Sequence, residues 1–208
     1  MEWPTGLVNG DVIAIVLAAG RSQRFGSDKR LTLFADGETL LSQTLSAVLP
    51  NFSHTYVVLK AGDDPKTLLS QAYLQQVQIL RAPHANCGLG SSLADALQML
   101  QNADGLAAAI FLGDMPWLSP ATCQKLIAFA TAENIVRPRY KGQAGHPVIF
   151  GRNFWSELQQ VKGEEGAREL FKHRIQHCIW VDVDDPGVIL DIDYRGDLQK
   201  MSFSNQLA

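Results

Sequence analysis

Apolar residues in this chain fall into short continuous runs separated by longer stretches of helical periodicity. Residues 12–19 are all apolar, as expected for a strand buried on both faces. A second strand is predicted over 56–59, ending in Lys60-Ala61-Gly62, and a third over 106–112, ending in Gly113-Asp114. A short strand falls near 77–80. Between the strands, Leu41, Leu45, Val48 and Leu49 recur at helical spacing, and a helix is predicted from about 65 to 76. Ser92 reads as the cap of an amphipathic helix carrying Leu93, Ala96, Leu97 and Leu100. Ser119-Pro120 opens another, with Cys123, Leu126, Ile127 and Ala130 as its apolar stripe. From about residue 137 the rhythm shortens, with strands at 147–150 and 178–183 and helices between them.

Strand and helix in alternation predict an α/β fold: a three-layer, doubly wound, mostly parallel sheet. Ligands of such sheets bind beyond the carboxyl ends of the strands, where residues 20–29, 60–64 and 113–116 fall. No repeat or linker breaks the pattern. The expected organisation is an N-terminal extension over 1–10, one domain over 11–201 and a frayed tail over 202–208.

Composition narrows the function. The 208 residues are enough to bury about 70% of the chain's surface without covalent staples. Lys and Arg number 18 against 21 Asp and Glu, a net charge of −3 that argues against a nucleic-acid partner. Cys87, Cys123 and Cys178 form no C-x-x-C pair, so neither a disulfide framework nor a zinc site is expected. Cys87 is expected to be a small buried thiol. The longest apolar run is too short to span a bilayer and has no basic lead-in, so the expectation is a cytoplasmic protein without membrane contact.

Four clusters carry candidate chemistry. Leu17-Ala18-Ala19-Gly20-Arg21-Ser22-Gln23-Arg24-Phe25-Gly26-Ser27-Asp28-Lys29 follows the first buried strand. Its small residues let backbone N–H groups approach an anion, and Arg21, Arg24 and Lys29 balance the charge of a phosphate chain. The glycine spacing fits neither a Walker loop nor a dinucleotide fingerprint. In Gly113-Asp114-Met115-Pro116, a carboxylate at a strand tip faces that cationic loop and can hold Mg²⁺. Gly88-Leu89-Gly90-Ser91-Ser92 precedes a helix, where Ser92 can also act as an ordinary cap. Near the C-terminus, Asp191-Ile192-Asp193 brings two more carboxylates, while Asp184-Asp185 before Pro186 reads as a solvated turn. His173 and His177 are four apart, but no intervening Glu or third ligand makes them a zinc pair.

The opening cluster, L-A-A-G-x-S-x-R-x-G-x-x-K, resembles the signature of MobA-like nucleotidyltransferases, closest to their molybdenum cofactor cytidylyltransferase branch. Phe25 stands where the family has Met. The resemblance extends through G-D-M-P, G-x-x-x-S-L at residues 88–93, Gly145-His146-Pro147, and Gly163-Glu164-Glu165-Gly166-Ala167-Arg168, where Glu164 replaces the family's Asp. It ends in D-I-D, after which Tyr194-Arg195-Gly196 replaces the family's T-P-E.

This resemblance implies a Rossmann-like nucleotidyltransferase fold that moves a nucleotide onto the phosphate of a molybdopterin-type cofactor and releases pyrophosphate. CTP is the implied nucleotide, on the strength of Ala18-Ala19, with GTP the lesser alternative. Leu17, Ala18, Ala19, Gly20, Arg21, Gly26, Lys29, Gly90 and Ser92 would bind the nucleoside triphosphate. Lys29 would stabilise charge on the transferred group and Arg24 would hold the leaving pyrophosphate. Asp114, with Asp193 or Asp191, would bind Mg²⁺, and His146, Pro147, Gly166 and Arg168 would meet the acceptor. A molybdenum hydroxylase is the implied recipient of the product. Two rival readings are a non-catalytic carrier of nucleotide or pterin cofactor, and a nucleotidyltransferase for another phosphorylated small molecule.

Overall fold

The computed structural model describes residues 12–20, 25–103, 105–164, 167–194 and 196–197. The first eleven residues, the tail from 198 and the basic segment 21–24, with Arg21 and Arg24, lie outside the described residues, as do Gly166 and Arg195.

Eight strands form one mixed sheet: β1 (Val12–Leu17), β2 (Thr55–Lys60), β3 (Gln78–Ala82), β4 (Ala107–Leu112), β5 (Ile135–Tyr140), β6 (Gln143–Ala144), β7 (Val148–Gly151) and β8 (Cys178–Asp182). The order is β3-β2-β1-β4-β7-β5-β6, with β8 also on β5. β3, β2, β1 and β4 are mutually parallel, β7 runs antiparallel between β4 and β5, and β8 is parallel to β5. The expected three-layer, mostly parallel α/β architecture is borne out.

The helices are α1 (Leu40–Val48), α2 (Pro65–Leu68), α3 (Gln71–Leu74), α4 (Leu89–Met99), α5 (Pro120–Ile127), α6 (Trp155–Leu158) and α7 (Arg168–His173). Strand pleating splits β1 between two cores. Val12, Ala14 and Val16 pack with Leu41 and Leu45 of α1 and Leu126 of α5. Ile13, Ile15 and Leu17 pack with Leu93 and Leu97 of α4 and Leu158 of α6. All six β1 side chains are buried, each worth roughly 1.5–3 kcal/mol for a large apolar group. Among the described residues no helix is long and apolar enough to cross a membrane.

Several local expectations are corrected. The helix predicted over 65–76 is two short ones, because Leu69 is extended (φ −136°, ψ 140°) and buried, and Ser70 restarts the chain. α4 begins at Leu89 rather than at a Ser92 cap. Gly163 O accepts the Gly90 N–H (2.8 Å), so a distant loop satisfies a donor of the first turn and the helix extends backward. Ser92 lies inside it and its Oγ donates to Gly88 O. Ser119 does cap α5 by position, but the side chain that accepts its N–H is Asp185, which also accepts Thr122 Oγ1 (2.7 Å) and the Gly187 N–H. Asp185 is therefore buried rather than solvated. Cys87 is exposed, since it ends a single 3-10 turn at the mouth of α4. β5 was hidden by Arg137, Pro138 and Arg139, which break its apolar pattern.

Candidate active site

The site forms where β1 and β4 end side by side. Gly113 N–H donates to Leu17 O (3.0 Å), and a Cβ at Gly113 would lie 3.1 Å from both Leu17 O and Ala18 Cβ. The absent side chain lets the two strand ends touch, which carries Asp114 to the mouth of the first loop. Asp114 O then accepts the Ile192 N–H (3.1 Å), tying down the C-terminal Asp191-Ile192-Asp193 segment. Ile192 is wholly buried against Phe25 and Leu40. Phe25, the departure from the family wording, thus supplies packing that holds the loop and this segment together.

Lys29 stands at the centre. Its Nζ is 2.6 Å from Asp114 Oδ2, 2.9 Å from Ile192 O and 3.6 Å from Asp193 Oδ1. Three segments, from residues 29, 114 and 191–193, therefore converge on one cation.

The next residue anchors the loop from beneath. Arg30 is 6% exposed. Its guanidinium donates to Asp28 from Nε (2.8 Å) and Nη2 (2.6 Å), to Asp63 from Nη1 (2.5 Å) and Nη2 (3.1 Å), and to Ala18 O (2.9 Å). Burial disfavours the charge, but hydrogen bonds to Asp28 and Asp63 outweigh it and hold the guanidinium pKa above its ordinary value. In turn the Asp28 carboxyl is held below the usual range, chiefly by its hydrogen bond to Arg30. The pair of forks joins β1, the loop and the end of β2.

Above Lys29 opens a cavity of about 590 Å³. It is lined by Leu17, Ala18, Ala19, Gly20, Lys29, Ser92, Asp114, Asp191 and Asp193 among the residues singled out from sequence. Arg30, Leu89 and Glu164 also line it and were not singled out as ligands. Gly88, at its wall, has φ +116°, and a Cβ there would come within 2.5 Å of Gly163 C. Only glycine fits where the residue-163 loop closes on α4.

The acidic cluster suits a hard cation. Asp114, Asp191 and Asp193 can each present an oxygen within 4.8 Å of the others. Asp114 Oδ1 is buried and has no hydrogen-bond partner, an acceptor that a divalent ion would satisfy. Asp191 is exposed at the cavity rim, yet partial desolvation there, and then the charges of Asp114 and Asp193, hold its carboxyl above the usual range.

Other sequence candidates lie apart from the cavity. Gly90 is buried against the residue-163 loop. His146 donates its N–H to Val188 O (2.8 Å), and its half-buried ring meets the Ile110 carbonyl, leaving Nδ1 buried without a partner. Burial, then the Arg137 cation, lowers its pKa to about 4. Pro147 is buried beside it and Arg168 is exposed at the start of α7. His173 ends α7, and His177 belongs to a separate 3-10 turn, edge-on to Phe154. Reading by motif missed Arg30 and Asp63 because their partnership spans 33 residues. Asp28 and Arg30, two apart beside the loop, were the visible half of that signal.

These features define a nucleotidyltransferase-like domain, and comparison with known proteins agrees. The MobA-like NTP transferase domain family matches residues 14–178, so the chain belongs to that family. Among curated proteins it is similar to the purine catabolism protein PucB of Bacillus subtilis strain 168, 28% identical over 191 residues, 88% of this chain and 91% of PucB. Among solved structures it is similar to the Rv0371c homologue of Mycobacterium sp. strain JC1 (TM-score 0.79, 27% identity, 95% and 98% of the two chains). It is also similar to the manganese complex of Mycobacterium tuberculosis Rv0371c (TM-score 0.74, 28% identity, 93% and 99%).

Proposed function

We propose that this protein transfers CMP from CTP to the phosphate of a molybdopterin-type acceptor, with a divalent ion, Mg²⁺, and with release of pyrophosphate. The observation that carries this reading is the convergence of Lys29 with Asp114, Asp191 and Asp193 at the rim of the cavity. Oxygen-only ligands fit Mg²⁺, and the manganese complex of the mycobacterial relative supports a divalent ion. When bound, the ion supplies positive charge to phosphate oxygens.

The protein's own part is positioning and charge. The α-phosphorus is attacked by an acceptor phosphate oxygen, and the bond to the pyrophosphate oxygen breaks. Lys29, steered by Asp114 and the Ile192 carbonyl, offers its ammonium where negative charge grows. Arg24 takes the leaving pyrophosphate. Ala18, Ala19 and Gly20 form a small-residue floor that lets phosphates approach the backbone. The acceptor phosphate is already an anion near neutral pH, so no general base is needed. CTP as donor, the pterin as acceptor and a molybdenum hydroxylase as recipient rest on the sequence resemblance.

The test is pyrophosphate release from each of the four nucleoside triphosphates, with Mg²⁺ and purified molybdopterin. Release with CTP above the others is expected. Nucleotide binding without release with any of the four would establish the carrier reading instead.

A further inference from the structure

β8 is an outer strand of the sheet, paired with β5 on one side and with no strand on the other among the described residues. Its sequence, Cys-Ile-Trp-Val-Asp, carries neither proline nor lysine, the residues that usually blunt an exposed edge.

Backbone groups alternate in direction along a strand. Val183 N–H donates to Arg139 O (3.0 Å), so the odd-numbered residues of this stretch turn their N–H and C=O toward β5. Cys178, Trp180 and Asp182 turn theirs outward. Two of these outward groups are already used. Cys178 N–H donates to Ile175 O, and Asp182 O accepts from the Lys125 ammonium (2.6 Å). Trp180 N–H, Trp180 O, Asp182 N–H and Cys178 O have no partner among the described residues.

These four groups are self-complementary. Laid antiparallel about a two-fold axis at Trp180, two copies of the strand form one hydrogen-bonded Trp180 pair that exchanges both N–H···O bonds. Asp182 N–H then meets the carbonyl of Cys178 of the partner subunit, twice by symmetry. The groups already used, Cys178 N–H and Asp182 O, fall opposite each other and end the ribbon on both sides. A shift of two residues in either direction aims a free group at one already taken.

Charge and apolar surface favour the same arrangement. The exposed Lys172, His173 and His177 precede the strand, and the exposed Asp182 and Asp184 close it. Antiparallel pairing lays the basic lead-in of one copy along the acidic exit of the other. Ile175 (45% exposed) and Trp180 (36%) lie on this stretch, and the two Trp180 rings become cross-strand neighbours.

We propose that this protein self-associates through β8, as a two-fold dimer whose sheets join antiparallel at Trp180. No residue of β8 lines the cavity, so dimer formation and nucleotidyl transfer are separately testable.

Sedimentation equilibrium of the full chain from about 1 to about 500 μM reads the association. Five residues a side cover less than a standard interface, so a dissociation constant of roughly 10–100 μM is expected, with the mass rising from 22.8 kDa toward twice that value. Trp180→Lys puts a charge on the ribbon axis and should weaken association by at least about ten-fold. Trp180→Phe should change it by less than about three-fold. Amide hydrogen exchange of the wild type reads the register without any substitution. Protection of the Trp180 and Asp182 amides should rise with protein concentration by more than that of Val183, which β5 already holds. A monomer at every concentration overturns the proposal, whatever else then covers the edge. Association that Trp180→Lys leaves unweakened, or that leaves exchange at Trp180 and Asp182 unchanged, overturns the β8 interface.

Discussion

Lys29 and Asp114 are separated by 85 residues in sequence and by 2.6 Å in space. The ion pair is only partly exposed, so it sets the direction of the ammonium more firmly than a surface pair would. If Lys29 acts on developing charge, Lys29→Ala lowers kcat by about 10²–10³-fold with little change in the nucleotide KM. Steady-state pyrophosphate release over a CTP titration checks this. A raised KM with kcat intact would make Lys29 a ground-state binder only.

Asp191 carries an unfavourable charge in the absence of metal. Its raised pKa means that ionisation opposes folding once the pH exceeds its ordinary range. Asp191→Asn is therefore expected to raise Tm slightly in metal-free buffer and to reduce the stabilisation that Mg²⁺ brings. Thermal melts with EDTA and with Mg²⁺ measure both. Equal Mg²⁺ stabilisation in variant and wild type would remove Asp191 from the ligand set.

Arg30 holds two carboxylates and the Ala18 carbonyl. Arg30→Met removes the guanidinium that both Asp28 and Asp63 accept from, leaving Lys60 as the cation nearby, and a loss of about 3–5 kcal/mol is expected. Urea denaturation at pH 7 reads the loss. The Asp28 and Asp63 pKa values are both depressed in the folded chain, so their contribution is present at neutral pH and disappears on acidification through the folded values. In Arg30→Met the acid-induced loss should be correspondingly smaller. A variant as stable as the wild type would show the network to be replaceable by packing.

His146 has a folded pKa of about 4 against an ordinary 6.5. The unfolded chain binds the proton first, so stability falls as the pH drops below about 6.5 and levels off near 4. The full effect of this one group is on the order of 3 kcal/mol. His146→Gln should flatten that part of the profile, measured by urea melts between pH 7.5 and 4. Arg137→Gln should raise the His146 pKa, measured by imidazole NMR, because the Arg137 cation contributes to the depression.

The parallel half of the sheet was legible because β1, β2 and β4 are continuous apolar runs with glycine or acidic residues at their ends. That pattern has one physical meaning: strands covered on both faces. The acidic tips and the basic loop were legible as chemistry for the same reason, since they follow those strands. β5 was not, because the partly buried cations Arg137 and Arg139 break the apolar run, as does Pro138 between them. The start of α4 was misread because Gly163, 73 residues away, accepts a first-turn donor that local reasoning gave to Ser92. Arg30 escaped notice because its worth lies in a carboxylate on another strand end. Local pattern reveals an element's burial; it does not reveal which distant partner completes a cap or an ion pair.

The most direct test compares pyrophosphate release by the wild type and Asp114→Ala with CTP, Mg²⁺ and molybdopterin. The wild type should release pyrophosphate in step with formation of the nucleotidylated acceptor, and Asp114→Ala should be slower by at least about 10³-fold. Release by Asp114→Ala at close to the wild-type rate would contradict the account.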